Sequence, residues 1–241
     1  IAFLDGDIVK VEFNDIGRSI RRKASVLEKL GNQNNSQSVS LISIHEHQIP
    51  TEFSADAIDL ATNTKPAMLD DNRRDLRNVD LITIDGSDAR DFDDAVWAEK
   101  DQTKNNKDGW RIIVAIADVA HYVKPGDALD IEAKKRGNSV YFPDRVIPML
   151  PEALSNGMCS LRPNEDRACL AVQITIDNQG KKLSHEFFRA LMRSKARVTY
   201  EDLQSTFDSK EKIQSSGDFI GKLAIPLYGA FNALHTARLI R

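Results

Sequence analysis

The chain has 241 residues, of which 41% are hydrophobic and 29% charged, a composition typical of a folded globular protein rather than a disordered one. No apolar run approaches the ~18 residues of a membrane-spanning helix, and a formal net charge of −3 argues against a strongly basic nucleic-acid binder. The two cysteines, Cys159 and Cys169, lie in apolar stretches, which predicts reduced core thiols and a cytoplasmic location.

The first 50 residues predict β structure. Apolar and polar residues alternate from Gly6 to Phe13, as in a half-buried strand. A second strand is predicted over residues 23–30 and a third over 38–45, with a loop rich in Asn and Gln between them. This alternation fits any small barrel, so it indicates no function by itself.

A short helix is predicted next, over residues 51–63. Thr51 and Ser54 are the candidate N-caps, because a hydroxyl can accept from a free backbone N–H of the first turn. Residues 65–78 are polar and predict a connector. They lead into a buried strand over 81–84, where apolar and β-branched residues follow one another.

An acidic loop follows this strand directly. It holds five carboxylates within ten residues: Asp85, Asp88, Asp91, Asp93 and Asp94. Neighbouring anions raise one another's pKa, so the cluster needs water or a shared cation. Mg²⁺ binds a few carboxylates together with phosphate oxygens and water, and a solvated loop or a calcium site is the alternative. The spacing does not meet the EF-hand pattern, and the apolar strand before it favours a metal site.

The middle of the chain predicts alternating strands and helices. Residues 110–117 predict a strand of the same sheet as 81–84, closed by Asp118, which either lies behind the metal or caps a turn. Residues 127–136 predict a helix that ends before Gly137. Residues 139–142 predict a short strand carrying Tyr141, and 152–156 a short helix ended by Gly157.

The last third predicts a long hairpin and two helices. Its strands span 167–177 and 182–193, and Leu170, Val172, Ile174 and Ile176 are predicted to form the buried face of the first strand. Helices are predicted from Tyr200 and from Phe219, the second with Pro226 as a kink or a late start.

Several segments together carry a family resemblance. They are 83–95 (TIDGSDARDFDDA), 115–123 (AIADVAHYV), 137–143 (GNSVYFP), 146–151 (VIPMLP) and 154–161 (LSNGMCSL). In this order they resemble the catalytic, or RNB, domain of the RNase II/RNase R exoribonucleases. Gly86, Arg90 and residues 137–139 resemble the RNase R branch more than RNase II itself.

The resemblance implies an α+β architecture, with an OB-type β-barrel remnant followed by a truncated mixed α/β catalytic domain. Residues 1–56 would be part of a cold-shock domain, 57–78 a linker, and 79–241 the N-terminal part of the RNB domain. The chain begins with Ile1 and ends at Arg241 within a predicted helix, so we expect it to be a fragment of a longer protein.

The resemblance also implies the chemistry. Asp85, Asp91, Asp93 and Asp94 match the family's metal ligands and would hold one or two Mg²⁺ ions, with Asp93 indispensable to catalysis. Tyr141 matches the tyrosine that stacks on the terminal base of the RNA. The expected activity is hydrolytic 3′-to-5′ degradation of single-stranded RNA 3′ ends to nucleoside 5′-monophosphates.

The same family supplies further active-site groups and an S1 RNA-binding domain from the rest of the parent chain. We therefore expect little activity from these 241 residues alone. We also expect the protein to be a monomer. Two alternatives stay open at this point. One is a non-catalytic OB-type RNA-binding module. The other is a haloacid-dehalogenase-like phosphatase, because residues 91–93 read Asp-Phe-Asp, although that motif should directly follow a strand.

Overall fold

The computed structural model describes residues 3–14, 23–35, 37–208 and 219–240. The strands are β1 (Asp7–Asn14), β2 (Lys23–Asn32), β3 (Arg74–Leu76), β4 (Ile82–Asp85), β5 (Asp94–Lys100), β6 (Trp110–Ala117), β7 (Val140–Tyr141), β8 (Val146–Ile147), β9 (Asp166–Ile176), β10 (Lys182–Arg193) and β11 (Ala196–Thr199). The helices are α1 (Gln37–Glu46), α2 (Ala55–Thr62), α3 (Val119–Tyr122), α4 (Ala128–Arg136), α5 (Tyr200–Asp208) and α6 (Phe219–Ile240), with a π-helical turn over Ala153–Met158.

The N-terminal part is an antiparallel ribbon of β1 and β2, as the alternating pattern predicts. The third strand predicted over 38–45 is wrong, because these residues form α1. Asn35 starts this helix, since its side-chain oxygen accepts from Gln37 N at 3.0 Å and its carbonyl from Ser38 N at 2.9 Å. Local capping has overridden the β-branched composition, and an OB-type barrel is not confirmed.

A seven-stranded sheet organises the rest of the described chain, in the order β11-β4-β5-β6-β9-β10-β3. The five central strands, β4, β5, β6, β9 and β10, pair antiparallel with one another. At the two ends of the sheet, β11 pairs parallel with β4, and β3 pairs parallel with β10. The mixed α/β class and the long hairpin predicted from the sequence are both confirmed. The hairpin strands β9 and β10 pair over almost their whole length.

The main core lies on one face of this sheet. Helices α2, α3 and α4 and the π-helical turn cover it, and Leu129 and Leu154 are fully buried there. The predicted buried face of β9 is correct only in part, because Ile176 is fully buried and Ile174 packs in the same smaller cluster, whereas the opposite face joins the main core. Cys169 and Ala171 are fully buried in the main core, while Leu170 is 46% exposed. Most of the helices cover the face that carries the smaller side chains, which the alternation of apolar residues does not reveal.

Helix α6 covers part of the opposite face. It packs over Trp110, Ile112 and Ile176, and the approach is close, because a Cβ at Gly229 would lie 2.2 Å from the Trp110 ring. Pro226 lies inside α6, so the helix does not start late. Within the described residues, no helix combines the length and the apolar character that crossing a membrane requires.

The remaining local predictions have mixed outcomes. Ser54 caps α2 and Asp127 caps α4, and α4 ends at Gly137, which has a positive φ of 79°. The helix predicted over 152–156 is instead the π-helical turn, which runs through Gly157 rather than ending before it. Both cysteines are free and buried, and burial raises the pKa of each thiol to about 12.

Candidate active site

The acidic loop connects two neighbouring strands of the sheet. Asp85 is the last residue of β4, and Asp94 is the first residue of β5. Residues 86–93 cross between them, so Asp91 and Asp93 belong to the loop itself. On the other side of β4, Thr199 of β11 lies opposite Asp85. The four predicted metal ligands therefore gather at one end of three adjacent strands.

Ser160 anchors the backbone of the acidic loop to the core. Its buried hydroxyl accepts from Phe92 N at 3.0 Å and donates to the carbonyl of Arg90 at 3.1 Å. The carbonyl of Phe92 accepts from Leu161 N at 2.8 Å. Because the Phe92 ring is also buried, the backbone on both sides of Asp91 and Asp93 is anchored to the core.

Arg197 fixes the first part of the loop. Its guanidinium donates to the carbonyls of Gly86 and Ser87 at 2.8 and 2.7 Å, and it lies 5.3 Å from the centre of the Phe92 ring. The positive charge also counters the burial that raises the pKa of Asp85. Arg197 is on β11, beside β4, so it supports the loop from the neighbouring strand.

The carboxylates influence one another electrostatically. Burial raises the pKa of Asp85, and the charges of Asp94 and Asp91 raise it further. Burial also raises the pKa of Asp93, although this residue keeps part of its surface in water, and the charges of Asp91, Asp94 and Asp85 add to the effect. These mutual effects arise because the four carboxylates lie near the same end of β4 and β5.

The donor set fits a hard divalent cation. Asp85 Oδ2 is buried and has no hydrogen-bond partner among the described residues, which is costly for a carboxylate unless a cation or water meets it. Oxygen ligands are those that Mg²⁺ or Mn²⁺ prefers. In the described parts of the chain, however, no three acidic, histidine or cysteine side chains converge into a ready-made metal site. Because like charges repel, we expect a cation to draw these carboxylates together.

Tyr141 lies beside Asp91 of the acidic loop. Its hydroxyl donates to Asp91 Oδ2 at 3.1 Å, and its side chain is 65% exposed. Partial desolvation and this contact with the Asp91 carboxylate raise the pKa of the tyrosine hydroxyl. The ring is therefore held at one end while its face stays open, as stacking on a base would require.

A cleft of about 530 Å³ opens between the acidic loop and the strand that carries Tyr141. Its wall includes Asp91, Tyr141 and the exposed guanidinium of Arg90, together with Asn156 of the π-helical turn. Asp88, the one aspartate of the acidic loop that is not among the four expected ligands, is exposed and lines this cleft. Asp88 is not among the charges that raise the pKa of Asp85 or of Asp93.

Asp118 has a role that neither sequence interpretation predicted. Its side chain makes no cap hydrogen bond. Instead, Oδ2 accepts from Arg73 Nη2 at 2.8 Å, and both side chains are almost completely buried. The same Arg73 nitrogen lies 3.1 Å from His121 Nδ1. Asp118 and His121 thus belong to a buried polar group that joins β6 to the chain before β3.

The phosphatase alternative required the Asp-Phe-Asp segment to follow a strand directly. In the structure β4 ends at Asp85, and Asp91 lies six residues further along the loop. Sequence reasoning also gave no role to Ser160 or Arg197, which position the loop. Their partners are 68 to 111 residues away in sequence, so no local spacing could have indicated them.

The fold and the acidic site together define a protein of the nuclease-like RNB class, and the sequence comparison agrees. The RNB domain matches residues 73–240, which is well over half of the chain. The chain belongs to the RNB domain family, as the sequence resemblance predicts.

Several of the similar proteins are ribonucleases R. One from Vibrio parahaemolyticus is 42% identical over 238 residues, a match that covers 97% of this chain and 28% of the relative. Among solved structures, Mycoplasma genitalium RNase R in complex with double-stranded RNA is 28% identical with a TM-score of 0.82, covering 98% of this chain and 41% of that one. The same enzyme with ribose-methylated single-stranded RNA is 30% identical with a TM-score of 0.77, covering 91% and 33%. The chain thus spans about a third or less of the length of the curated relatives it matches.

Proposed function

We propose that this chain carries the metal-binding part of a hydrolytic 3′-to-5′ exoribonuclease that releases nucleoside 5′-monophosphates from single-stranded RNA. The observation that carries the proposal is the shared environment of Asp85, Asp91, Asp93 and Asp94, with the open ring of Tyr141 hydrogen-bonded to Asp91. Solved structures of one relative in complex with RNA support RNA as the substrate class.

The four aspartates would hold one or two Mg²⁺ ions. When bound, Mg²⁺ supplies Lewis-acid chemistry that activates water and stabilises charge on a phosphodiester. The chain's own residues supply the placement. Ser160 and Arg197 hold the loop backbone, so the carboxylates start near their working positions, and Tyr141 offers a flat surface on which the last base stacks without sequence preference.

Several finer features belong to the same proposal. The ribbon of β1 and β2 would be the end of a cold-shock domain, residues 57–78 a linker, and 79–241 part of the catalytic domain. The protein would be a cytoplasmic monomer. The rest of the parent chain would complete the active site, so that residues 1–241 alone would show little activity.

The decisive experiment removes one carboxylate from the full-length protein. We expect Asp93→Asn to reduce Mg²⁺-dependent cleavage of a 3′-labelled single-stranded RNA by at least about a thousandfold, because an amide is a much weaker ligand for the ion that activates the water. Binding of the uncleaved RNA should change little. Asp88→Asn is the matched control, since Asp88 lies in the same loop outside the proposed ligand set.

Two outcomes would contradict the proposal. Retention of most cleavage activity in Asp93→Asn would remove Asp93 from the catalytic centre. RNA binding that persists when all four aspartates are replaced, with no cleavage by the unaltered full-length protein, would instead identify a non-catalytic RNA-binding module.

A further inference from the structure

The residue proposed to stack on RNA lies in a small hairpin, β7–β8, that is not part of the main sheet. Val140 pairs with Ile147 and Tyr141 with Val146. Ser139 Oγ accepts from Met149 N at 2.9 Å and closes the base of this hairpin. With only two residues in each strand, such a hairpin is not stable alone, so other parts of the chain must hold it.

Arg136 holds the base of the hairpin. It is the last residue of α4, and only 2% of its side chain is exposed. One guanidinium nitrogen donates to the carbonyls of Pro50 and Pro148 at 2.8 and 3.3 Å, and another to the carbonyl of Glu52 at 2.6 Å. The group also lies 3.6 Å from the centre of the Phe53 ring. One buried side chain therefore joins residues 50–53 to the end of β8.

Ser40 holds the tip of the same hairpin. It is buried on α1, and its hydroxyl donates to Asp144 Oδ1, in the turn between Tyr141 and Val146. Arg145 Nε donates to the other oxygen of Asp144 at 2.9 Å. The hairpin is thus held at both ends by segments that precede residue 73, where the match to the RNB domain begins.

An open pocket separates parts of the surfaces that these polar contacts join. It has a volume of about 530 Å³, lies between α1, α2 and the hairpin, and its lining includes Ile44, Phe53 and Ile147. Side chains that face an open pocket make fewer dispersion contacts than close-packed ones. The hydrogen bonds of Arg136 and Ser40 therefore contribute to the attachment where side-chain packing does not.

We propose that Arg136 and Ser40 are positioning residues for Tyr141. Through them, the segment 37–53 affects how Tyr141 stacks on the 3′-terminal base of the RNA. The inference rests on the proposed function, because it gives those contacts their purpose. It adds that the region before the matched RNB domain affects substrate binding inside the catalytic site, by holding the hairpin against α1 and α4.

The test is a double-mutant cycle in the full-length protein, with KM and kcat measured on single-stranded RNA. Arg136→Lys keeps the charge but loses the forked contacts, and Ser40→Ala loses the hydroxyl. Each should raise KM about three- to tenfold with a smaller change in kcat, as the loss of one supporting contact would. In a Tyr141→Ala background the same changes should have almost no further effect on KM, because their action passes through that ring.

Ser38→Ala is the matched control. Ser38 is also buried on α1, but its hydroxyl bonds to the backbone of Asn32 and not to the hairpin. We expect this variant to leave KM unchanged. Should Arg136→Lys fail to fold, Ser40→Ala compared with Ser38→Ala decides the question.

The outcomes separate the two proposals. If Tyr141→Ala raises KM while Arg136→Lys and Ser40→Ala do not, or if their effects are equally large without the ring, the coupling is wrong and the proposed function stands. If Tyr141→Ala leaves KM unchanged, the stacking role and this inference fail together, whereas dependence of cleavage on Asp93 is judged separately.

Discussion

At the scale of single residues, the ring and the hydroxyl of Tyr141 have separable roles. The hydroxyl contacts Asp91, whereas the exposed ring face is available for a base. We expect Tyr141→Phe to bind single-stranded RNA nearly as well as the unaltered protein. Tyr141→Ala should weaken binding about tenfold or more, because a base–aromatic stack contributes ~1–3 kcal/mol.

Fluorescence anisotropy with a labelled RNA checks this in a cleavage-deficient Asp93→Asn background. Equal losses in the Phe and Ala variants would mean that the hydroxyl, and not the ring, holds the RNA.

Ser160 is the residue on which the shape of the acidic loop most depends. In Ser160→Ala the buried N–H of Phe92 loses its acceptor, which costs about 1–3 kcal/mol of the free energy of unfolding. We expect a lower Tm and a fall in kcat, because the loop carries the proposed metal ligands. Thermal denaturation and single-turnover cleavage measure the two effects. Ser184→Ala, at an exposed position of β10, serves as the control, and an equal fall in its kcat would deny Ser160 this role.

These residues also show what the sequence could reveal. The aspartates are close in sequence, so a short pattern marked them, and the structure adds a hydrogen bond from Tyr141 to one of them, Asp91. Ser160, Arg197 and Arg136 act on partners that only the fold brings near. A serine or an arginine has no local signature for such a role, and its contacts can be known only from coordinates.

At the scale of elements, the sequence predicted those whose pattern is set locally. The ribbon, β6, α4 and the β9–β10 hairpin all follow from alternation, caps and turns. Helix α1 was missed because its start depends on the Asn35 cap rather than on apolar spacing. The buried face of β9 was predicted only in part, because both faces carry apolar residues and tertiary packing covers a portion of each.

The buried group around Asp118 makes a prediction about pH. Burial, followed by the nearby charge of Arg73, lowers the pKa of His121. Since Arg73 can only donate, His121 Nδ1 must be the acceptor in their 3.1 Å contact, which requires a neutral ring. Lys124 and Arg189 also oppose a proton there, and Asp118 favours one.

The direction in which pH changes the free energy of unfolding follows from proton linkage. Below the unfolded-state pKa of His, about 6.5, the unfolded chain binds a proton that the folded chain resists, so the free energy of unfolding decreases as pH falls. We expect His121→Gln to flatten this slope over the pH range just below ~6.5. Urea denaturation at a series of pH values measures it, and His185→Gln, on an exposed part of β10, is the control. An unchanged slope in His121→Gln would show that other groups cause it.

At the scale of the whole molecule, bulk properties were poor guides to function. The net charge of −3 gives no sign of RNA binding, because part of the negative charge belongs to the proposed metal site. Family membership came instead from ordered local segments, which the match over residues 73–240 confirms. The activity of the complete protein stays a proposal, since the chain covers only 28% of its relative from Vibrio parahaemolyticus.

Metal binding should stabilise the whole fold, because the four aspartates lie on β4, the loop and β5 at the same end of these two strands. Without a cation their repulsion opposes folding, so Asp93→Asn should raise the Tm measured in EDTA. With Mg²⁺ in hundredfold excess over its Kd, the unaltered protein should gain about 2.7 kcal/mol in the free energy of unfolding, and Asp93→Asn should gain much less. Asp88→Asn should respond to Mg²⁺ like the unaltered protein. A Tm that Mg²⁺ raises equally in all three proteins would place the cation outside the acidic loop.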